Sequence, residues 1–145
     1  MFTFHFYIDT QMRTTTFILL LLTAIGCSGN VHLSGTVSYS DDQSPVTGGV
    51  VVFEKGGQMS QGEIRANGTY TVFTLGKNDG MPRGDYVVYL TNTDKVEPRF
   101  RPDGTADRHV TPLVHSKYRD PGTSGLTFKA DGKTKKFDIT VDRAK

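Results

Sequence analysis

Few side chains in this sequence have both the chemistry and the spacing to form a site. The single cysteine, Cys27, closes an apolar run; a thiol there is a nucleophile, a metal ligand or an acyl acceptor. His109 and His115 lie close enough in sequence to approach each other. Imidazole is the commonest metal ligand and a ready base. No carboxylate or third ligand stands at a fixed spacing from them, so two solvated histidines is the plainer reading. His32 falls on the polar side of an alternating stretch and is expected at the surface. Asn78 and Asp79 offer oxygens to calcium, but the rest of a calcium-loop pattern is missing. Arg99-Phe100-Arg101 suits an acidic or aromatic partner. No Gly-x-Ser-x-Gly elbow, His-Glu-x-x-His helix or phosphate loop is present. The expectation is no catalytic residue, no metal and no cofactor.

Composition narrows the classes further. The net charge of +2 gives no electrostatic case for nucleic acid. One cysteine excludes an internal disulfide, which leaves packing and sheet hydrogen bonds to hold the fold. Glycine is frequent but scattered at turns, with no collagen-like or linker periodicity. No internal repeat of fixed period is visible.

The apolar run from Phe17 to Ile25 is too short for a membrane-spanning helix, which needs roughly 20 residues. It suits a secretory signal, with Arg13 ahead of it and the small residues Ala24 and Gly26 at the cut. Ala24-Ile25-Gly26-Cys27 resembles the lipobox of bacterial lipoproteins, although such boxes more often carry Leu where Ala24 stands. That resemblance implies cleavage before Cys27, a diacylglycerol on its sulfur and often a further acyl chain on its new amino group. Two or more chains make anchoring stable where one is marginal. The alternative is a plain secretory signal with Cys27 buried as a small hydrophobe, but the polar Ser28-Gly29-Asn30 beside it offers nothing to bury it. Residues 1–11 lack Lys and Arg, and Met12-Arg13-Thr14-Thr15-Thr16 makes a better-ordered start. The reading is a signal peptide over 1–26, with Met12 as the expected true start and an extended leader as the alternative. A lipidated Cys27 and tether follow over 27–30, then one domain over 31–145.

The elements of that domain read as strands. Val31, Leu33, Val37 and Tyr39 alternate with His32, Ser34, Thr36 and Ser38, as in a half-buried strand. Ser40 to Pro45 is turn chemistry. Gly48 to Glu54 carries a short β-branched run expected as a central strand buried on both faces, and Lys55-Gly56-Gly57 ends it. Gln61–Ala66 and Thr69–Leu75 flank Asn67-Gly68, which predicts a hairpin with a type I′ turn. Gly76 to Gly84 is a loop, and Asp85 to Thr91 is again strand-like. Thr93 to Ser124 has little periodicity and four prolines, and is expected as a long loop, with a short edge strand over 110–114, packing over one sheet edge. Leu126–Ala130 and Lys136–Val141 flank Asp131-Gly132 and read as a second hairpin, with Phe137, Ile139 and Val141 inward and Lys133, Lys135 and Lys136 exposed.

Four pieces of this pattern carry a resemblance: Gly35-Thr36-Val37; Gly49-Val50-Val51-Val52-Phe53; Gly62-x-Ile64 with Asn67-Gly68-x-Tyr70-x-Val72; and Pro82-x-Gly84-x-Tyr86-x-Val88. Together they resemble the carboxypeptidase regulatory-like domains, grouped with the transthyretin-like β-sandwiches. The likeness covers residues 31–91 well and the remainder loosely. In it each glycine turns the chain and the tyrosine two residues on plugs the core. It implies an all-β fold, a single seven-stranded Greek-key β-sandwich, transthyretin/prealbumin-like, used as an accessory module without catalysis. Lys117-Tyr118-x-Asp120-Pro121-x-Thr123-Ser124-Gly125-Leu126 is similar to a stretch in small secreted bacterial lipoproteins built from one such domain. Tyr118-Arg119 matches two residues of the Tyr-Arg-Gly-Ser ending of transthyretin-like hydroxyurate hydrolases, but the match stops there and is internal.

The functional expectation is therefore a lipid-anchored cell-envelope module with a binding or structural role, bound to the membrane through lipid on Cys27. It would present sheet faces and the long loop to an envelope protein or glycan, and not to nucleic acid. Glycan binding would call for aromatics aligned on one face, among Tyr39, Tyr70, Tyr86 and Tyr89, most of which read as core. The alternative is an envelope hydrolase or metal-dependent enzyme whose site lies in the 93–124 loop and draws His109, His115 and an Asp together.

Overall fold

The computed structural model describes residues 29–145. The expected signal peptide and the expected lipidation of Cys27 lie outside the described residues. From Gly29 onward the chain is all-β. Seven strands form two facing sheets, and two more form a separate ribbon.

The three-stranded sheet has the order β4-β1-β9, with β1 Ser34–Tyr39, β4 Thr69–Thr71 and β9 Ile139–Val141. The four-stranded sheet has the order β3-β2-β5-β8, with β2 Val50–Lys55, β3 Gln58–Glu63, β5 Gly84–Thr91 and β8 Leu126–Ala130. β5 returns beside β2 after the chain has visited the other sheet through β4, which is a Greek-key crossing. The core lies between the layers. Val37, Tyr70 and Ile139 come from one side, and Phe53, Tyr86 and Val88 from the other. Phe53 is its aromatic centre, with Tyr86 and Phe128 edge-on at 6.5 Å and 5.9 Å between centroids. The alternation read in residues 31–39 holds, since Val31, Leu33, Val37 and Tyr39 are all buried. β2 is buried on both faces, because Val52 is covered as well as Val51 and Phe53.

Two connections differ from expectation. Asn67-Gly68 does not join a simple hairpin. β3 pairs with β2, whereas β4 crosses to pair with β1. Only the Gln61–Phe73 bridge and the turn itself link the two arms. Gly68 has φ +80°, but Asn67 does not have positive φ, so the turn is not type I′. Gly68 N–H donates to Arg65 O at 2.8 Å, and Asn67 Oδ1 accepts from Thr69 N–H. The I′-like pair is Gly56-Gly57, both left-handed, which joins β2 to β3. Asp131-Gly132 likewise carries the chain across the core. β8 stays on β5, and β9 runs parallel to β1. In both cases the turn residues bend the backbone as read, but the buried side chains on each arm face one core from opposite sheets. Phe137, Ile139 and Val141 do face inward, and Lys133, Lys135 and Lys136 are exposed.

The expected long loop over 93–124 is a correction too. Most of it is an antiparallel ribbon, β6 Asp94–Phe100 with β7 Ala106–Pro112, followed by a 3₁₀ helix at Ser116–Arg119. Pro98 obscured the strand in the sequence. Arg101 N–H donates to Thr105 O and Leu113 N–H to Thr93 O, which makes the odd-numbered residues of β6 the hydrogen-bonded pairs. The missing N–H of Pro98 therefore falls on the outer edge, where no ladder bond is lost.

Candidate functional site

The densest polar cluster sits where β1 and β9 end. Tyr39 closes β1 and leads into Ser40, Asp41 and Asp42; Val141 closes β9 and leads into Asp142 and Arg143. The 3₁₀ helix lies against them with His115, Lys117 and Tyr118. The Asp142 carboxylate accepts from Ser40 Oγ at 2.7 Å, Lys117 Nζ at 2.6 Å and Tyr118 OH at 3.2 Å. Arg143 donates from Nε to Asp41 at 2.9 Å, and from Nη2 to Asp42 and Ser44 Oγ at 2.8 Å each. Its guanidinium lies 3.7 Å from the Tyr39 ring centroid. His115 caps the helix, its Nδ1 accepting from Lys117 N–H, and its own N–H donates to Asp142 O.

The cluster holds a carboxylate, an amine, a phenol and an imidazole, the ingredients of acid–base chemistry. Their electrostatics point elsewhere. The Lys117 ammonium, with Ser40 and Tyr118, pulls Asp142 down to about 2, far below the range of a general base at neutral pH. Asp142 in turn raises Lys117, which keeps it protonated and non-nucleophilic. Each charge has its partner within the cluster, so the arrangement works as a clamp that docks the 93–124 segment onto the end of the sandwich. A surface depression lined by Ser40, His115, Lys117 and Asp142 lies over it.

The other chemistry-bearing residues are dispersed. His109 sits on β7 across from Glu97, on the ribbon and apart from the helix that His115 caps. His32 is exposed. Asp79 accepts from the backbone N–H groups of Thr74, Leu75 and Gly76, which lowers its pKa and makes it the brace of its own loop. Among the described residues no three His, Cys, Asp or Glu side chains are grouped to hold a metal ion. Tyr39, Tyr70 and Tyr86 are core residues, and Tyr89 hydrogen-bonds Glu54 from a half-buried position. No aromatic platform forms among these four. Arg101 is engaged by Asp107 at 2.9 Å, while Phe100 beside it is 75% exposed. Sequence reading missed the clamp, whose partners lie at separations of up to 102 residues, and the ribbon.

No protein-family profile matches the chain, and no curated protein matches it. Among solved structures it is similar to BcpA, the major pilin subunit of Bacillus cereus. A variant form matches at 19% identity, with a TM-score of 0.44, over 80% of this chain and 30% of the pilin. A second BcpA structure matches at 17% identity, with a TM-score of 0.40, over 79% of this chain and 30% of the pilin. A 9R-lipoxygenase from Cyanothece matches at 12% identity and a TM-score of 0.34, over 77% of this chain and 16% of that enzyme. The chain thus spans about a third of the length of the pilin subunits it matches. Likeness at this level identifies no family. The β-sandwich stands on the chain's own strand pairing, in the same broad architectural class as transthyretin-like domains.

Proposed function

We propose that this chain is a lipid-anchored module of the cell envelope, non-catalytic, with a binding or structural role. The observation that carries the reading is the polarity of the domain. Residues 29–31, two positions beyond Cys27, lie at the end of the sandwich where Val31 bridges Met81 and Asn30 donates to Asp79 O. β5 begins near that end at Gly84 and runs to Thr91, about 23 Å away at roughly 3.3 Å per residue. The clamp and the ribbon sit at that far end. A lipid on Cys27 would hold one pole at the membrane and present the other outward, to an envelope protein or glycan. Among the described residues no helix is long and apolar enough to cross a membrane. The paired charges of the clamp support a structural role over a reactive one.

Intact mass and detergent partitioning of the protein from a bacterial host, beside Cys27→Ser, test the anchor. A mature chain starting at Cys27 with added acyl mass, lost in the variant, supports the reading. An unmodified, water-soluble chain in both cases overturns it.

A further inference from the structure

We propose that the outer edge of β7 is a pairing strand that binds β7 of a second copy of this chain, antiparallel about a two-fold axis at His109. This deepens the proposed binding role by naming a partner, and it does not depend on lipid at Cys27.

Four observations lead there. First, the ribbon is a two-stranded sheet outside the sandwich, and isolated two-stranded ribbons are marginal until a further strand joins them. Second, one ribbon face carries exposed apolar side chains, interrupted by Arg108 and by Asp94 at its root. Val96, Phe100 and Val110 share that face and are 54%, 75% and 52% exposed, making up half of the exposed large hydrophobics among the described residues. Third, the two edges are unequal. Pro98 interrupts the outer N–H row of β6 and blunts it, as edge strands often require. On β7 the outward groups are those of Ala106, Arg108, Val110 and Pro112. The Arg108 N–H donates to its neighbour Asp107 Oδ1 at 2.8 Å, a local bond that pairing exchanges for one to the second copy, while the Val110 N–H keeps no such cap. Fourth, the strand is complementary to itself. Its 7 residues are centred on His109. Full overlap then sets Arg108 against Val110, Ala106 against Pro112, and Asp107 against Thr111 of the second copy. Arg108 and Val110 exchange both backbone bonds, and no charged residue faces its like. A register centred on Arg108 would oppose two guanidinium groups. Across 94–112 there are four Lys and Arg against four Asp and Glu, so two ribbons meet without net repulsion. The product is a four-stranded ribbon that gathers Val96, Phe100 and Val110 of both copies on one face, around the two Arg108 side chains.

The paired edge is much smaller than the ~800 Å² per partner of a standard interface, so association is weak in free solution and is best trapped covalently. The test uses the full chain carrying Cys27→Ser, in mild detergent, under mild oxidation. In the proposed register His109 faces its own copy at a non-hydrogen-bonded position, where Cα atoms lie ~4.5 Å apart, within disulfide range. His109→Cys should give disulfide-linked dimer at least about fivefold above Asp107→Cys or Thr111→Cys alone, whose self-distances exceed the ~7 Å limit. A mixture of the Asp107→Cys and Thr111→Cys chains should cross-link. Arg108→Pro, which removes an outward N–H as Pro98 does on β6, should abolish the His109→Cys dimer while leaving the circular dichroism spectrum unchanged. Equal cross-linking at all three positions, none at His109→Cys, or capture of a different envelope protein in its place would overturn the proposal.

Discussion

Gly35→Ala should be among the most damaging single-methyl changes in this domain. Gly35 lies on the inner face of β1, directly across from Tyr70 on β4. A Cβ there would overlap the Phe137 carbonyl oxygen, lie 2.7 Å from the Phe137 carbonyl carbon and lie 2.9 Å from Tyr70 Cε1. Ordinary contact starts at 3.4 Å, so the Phe137 carbonyl carbon must retreat by about 0.7 Å and its overlapping oxygen by more. That carbonyl accepts the Tyr70 hydroxyl, and Phe137 N–H donates to Ser34 O, so two hydrogen bonds are strained together. Losing them costs about 1 kcal/mol each, and overpacking adds about 1–3 kcal/mol. The loss of glycine's freedom in the unfolded chain returns only about 0.4–1 kcal/mol. The net expectation is a loss of about 3 kcal/mol. Urea unfolding of Gly35→Ala beside Gly48→Ala, where a Cβ meets nothing within 4 Å, measures it. Tyr70→Phe in the Gly35→Ala background should not rescue, because the obstacle is backbone. A Gly35→Ala midpoint equal to the parent's, or full rescue by Tyr70→Phe, would refute the reasoning.

Three further outcomes follow from the packing and charge of the domain. Thr93 is fully buried and its Oγ1 has no hydrogen-bond partner; Thr93→Val should raise stability by about 1 kcal/mol in the same urea assay. Asp142 is depressed to about 2 by Lys117, Ser40 and Tyr118, below an unfolded value of about 3.9. Its contribution is present above pH ~4 and lost as pH falls towards ~2, so Asp142→Asn should flatten the acid limb of the stability–pH curve in that window. Replacing residues 94–112 with two glycines should leave the sandwich folded, because Thr93 O already accepts from Leu113 N–H across the root. The Asp94–Arg119 ion pair is lost, and at its exposure it accounts for at most ~1 kcal/mol of the change in midpoint.

The strands were legible in the sequence because inner-face alternation is local. Val31-x-Leu33 and Tyr86-x-Val88-x-Leu90 need no knowledge of the partner strand. The crossings were not legible. Asn67-Gly68 and Asp131-Gly132 specify a bend, and the same bend serves a hairpin within one sheet or a passage between two. Which one occurs depends on whether the arms bury side chains from the same layer, and that is a non-local matter. The glycine–tyrosine pattern was half understood. Gly68 and Gly84 do hold positive φ before Tyr70 and Tyr86. Gly35 and Gly62 turn nothing: they leave room for the Tyr70 ring, which a Cβ at either would approach to 2.9 Å. The ribbon escaped notice because Pro98 breaks the sequence signal of a strand while sparing its ladder. The clamp at Asp142 gathers residues from the two ends and the middle of the domain, and no local motif marks it.

The two poles of the domain differ in chemistry. At the Gly29 pole the chain offers a two-residue link from Cys27 and an Asp79 carboxylate consumed by its own loop. At the other pole, paired charges fix the root of a ribbon whose Val96, Phe100 and Val110 side chains remain uncommitted. Sandwich packing does not require those uncommitted groups, since the ribbon adds none of the core residues. A lipid tether would confine copies to one surface and raise their effective concentration. An edge too small for a stable dimer in solution could then pair usefully there. Pairing in vesicles carrying the acylated chain should therefore exceed that of Cys27→Ser at equal bulk concentration, while the register of the His109→Cys cross-link stays the same. An unchanged yield would mean that the anchor and the ribbon serve separate ends.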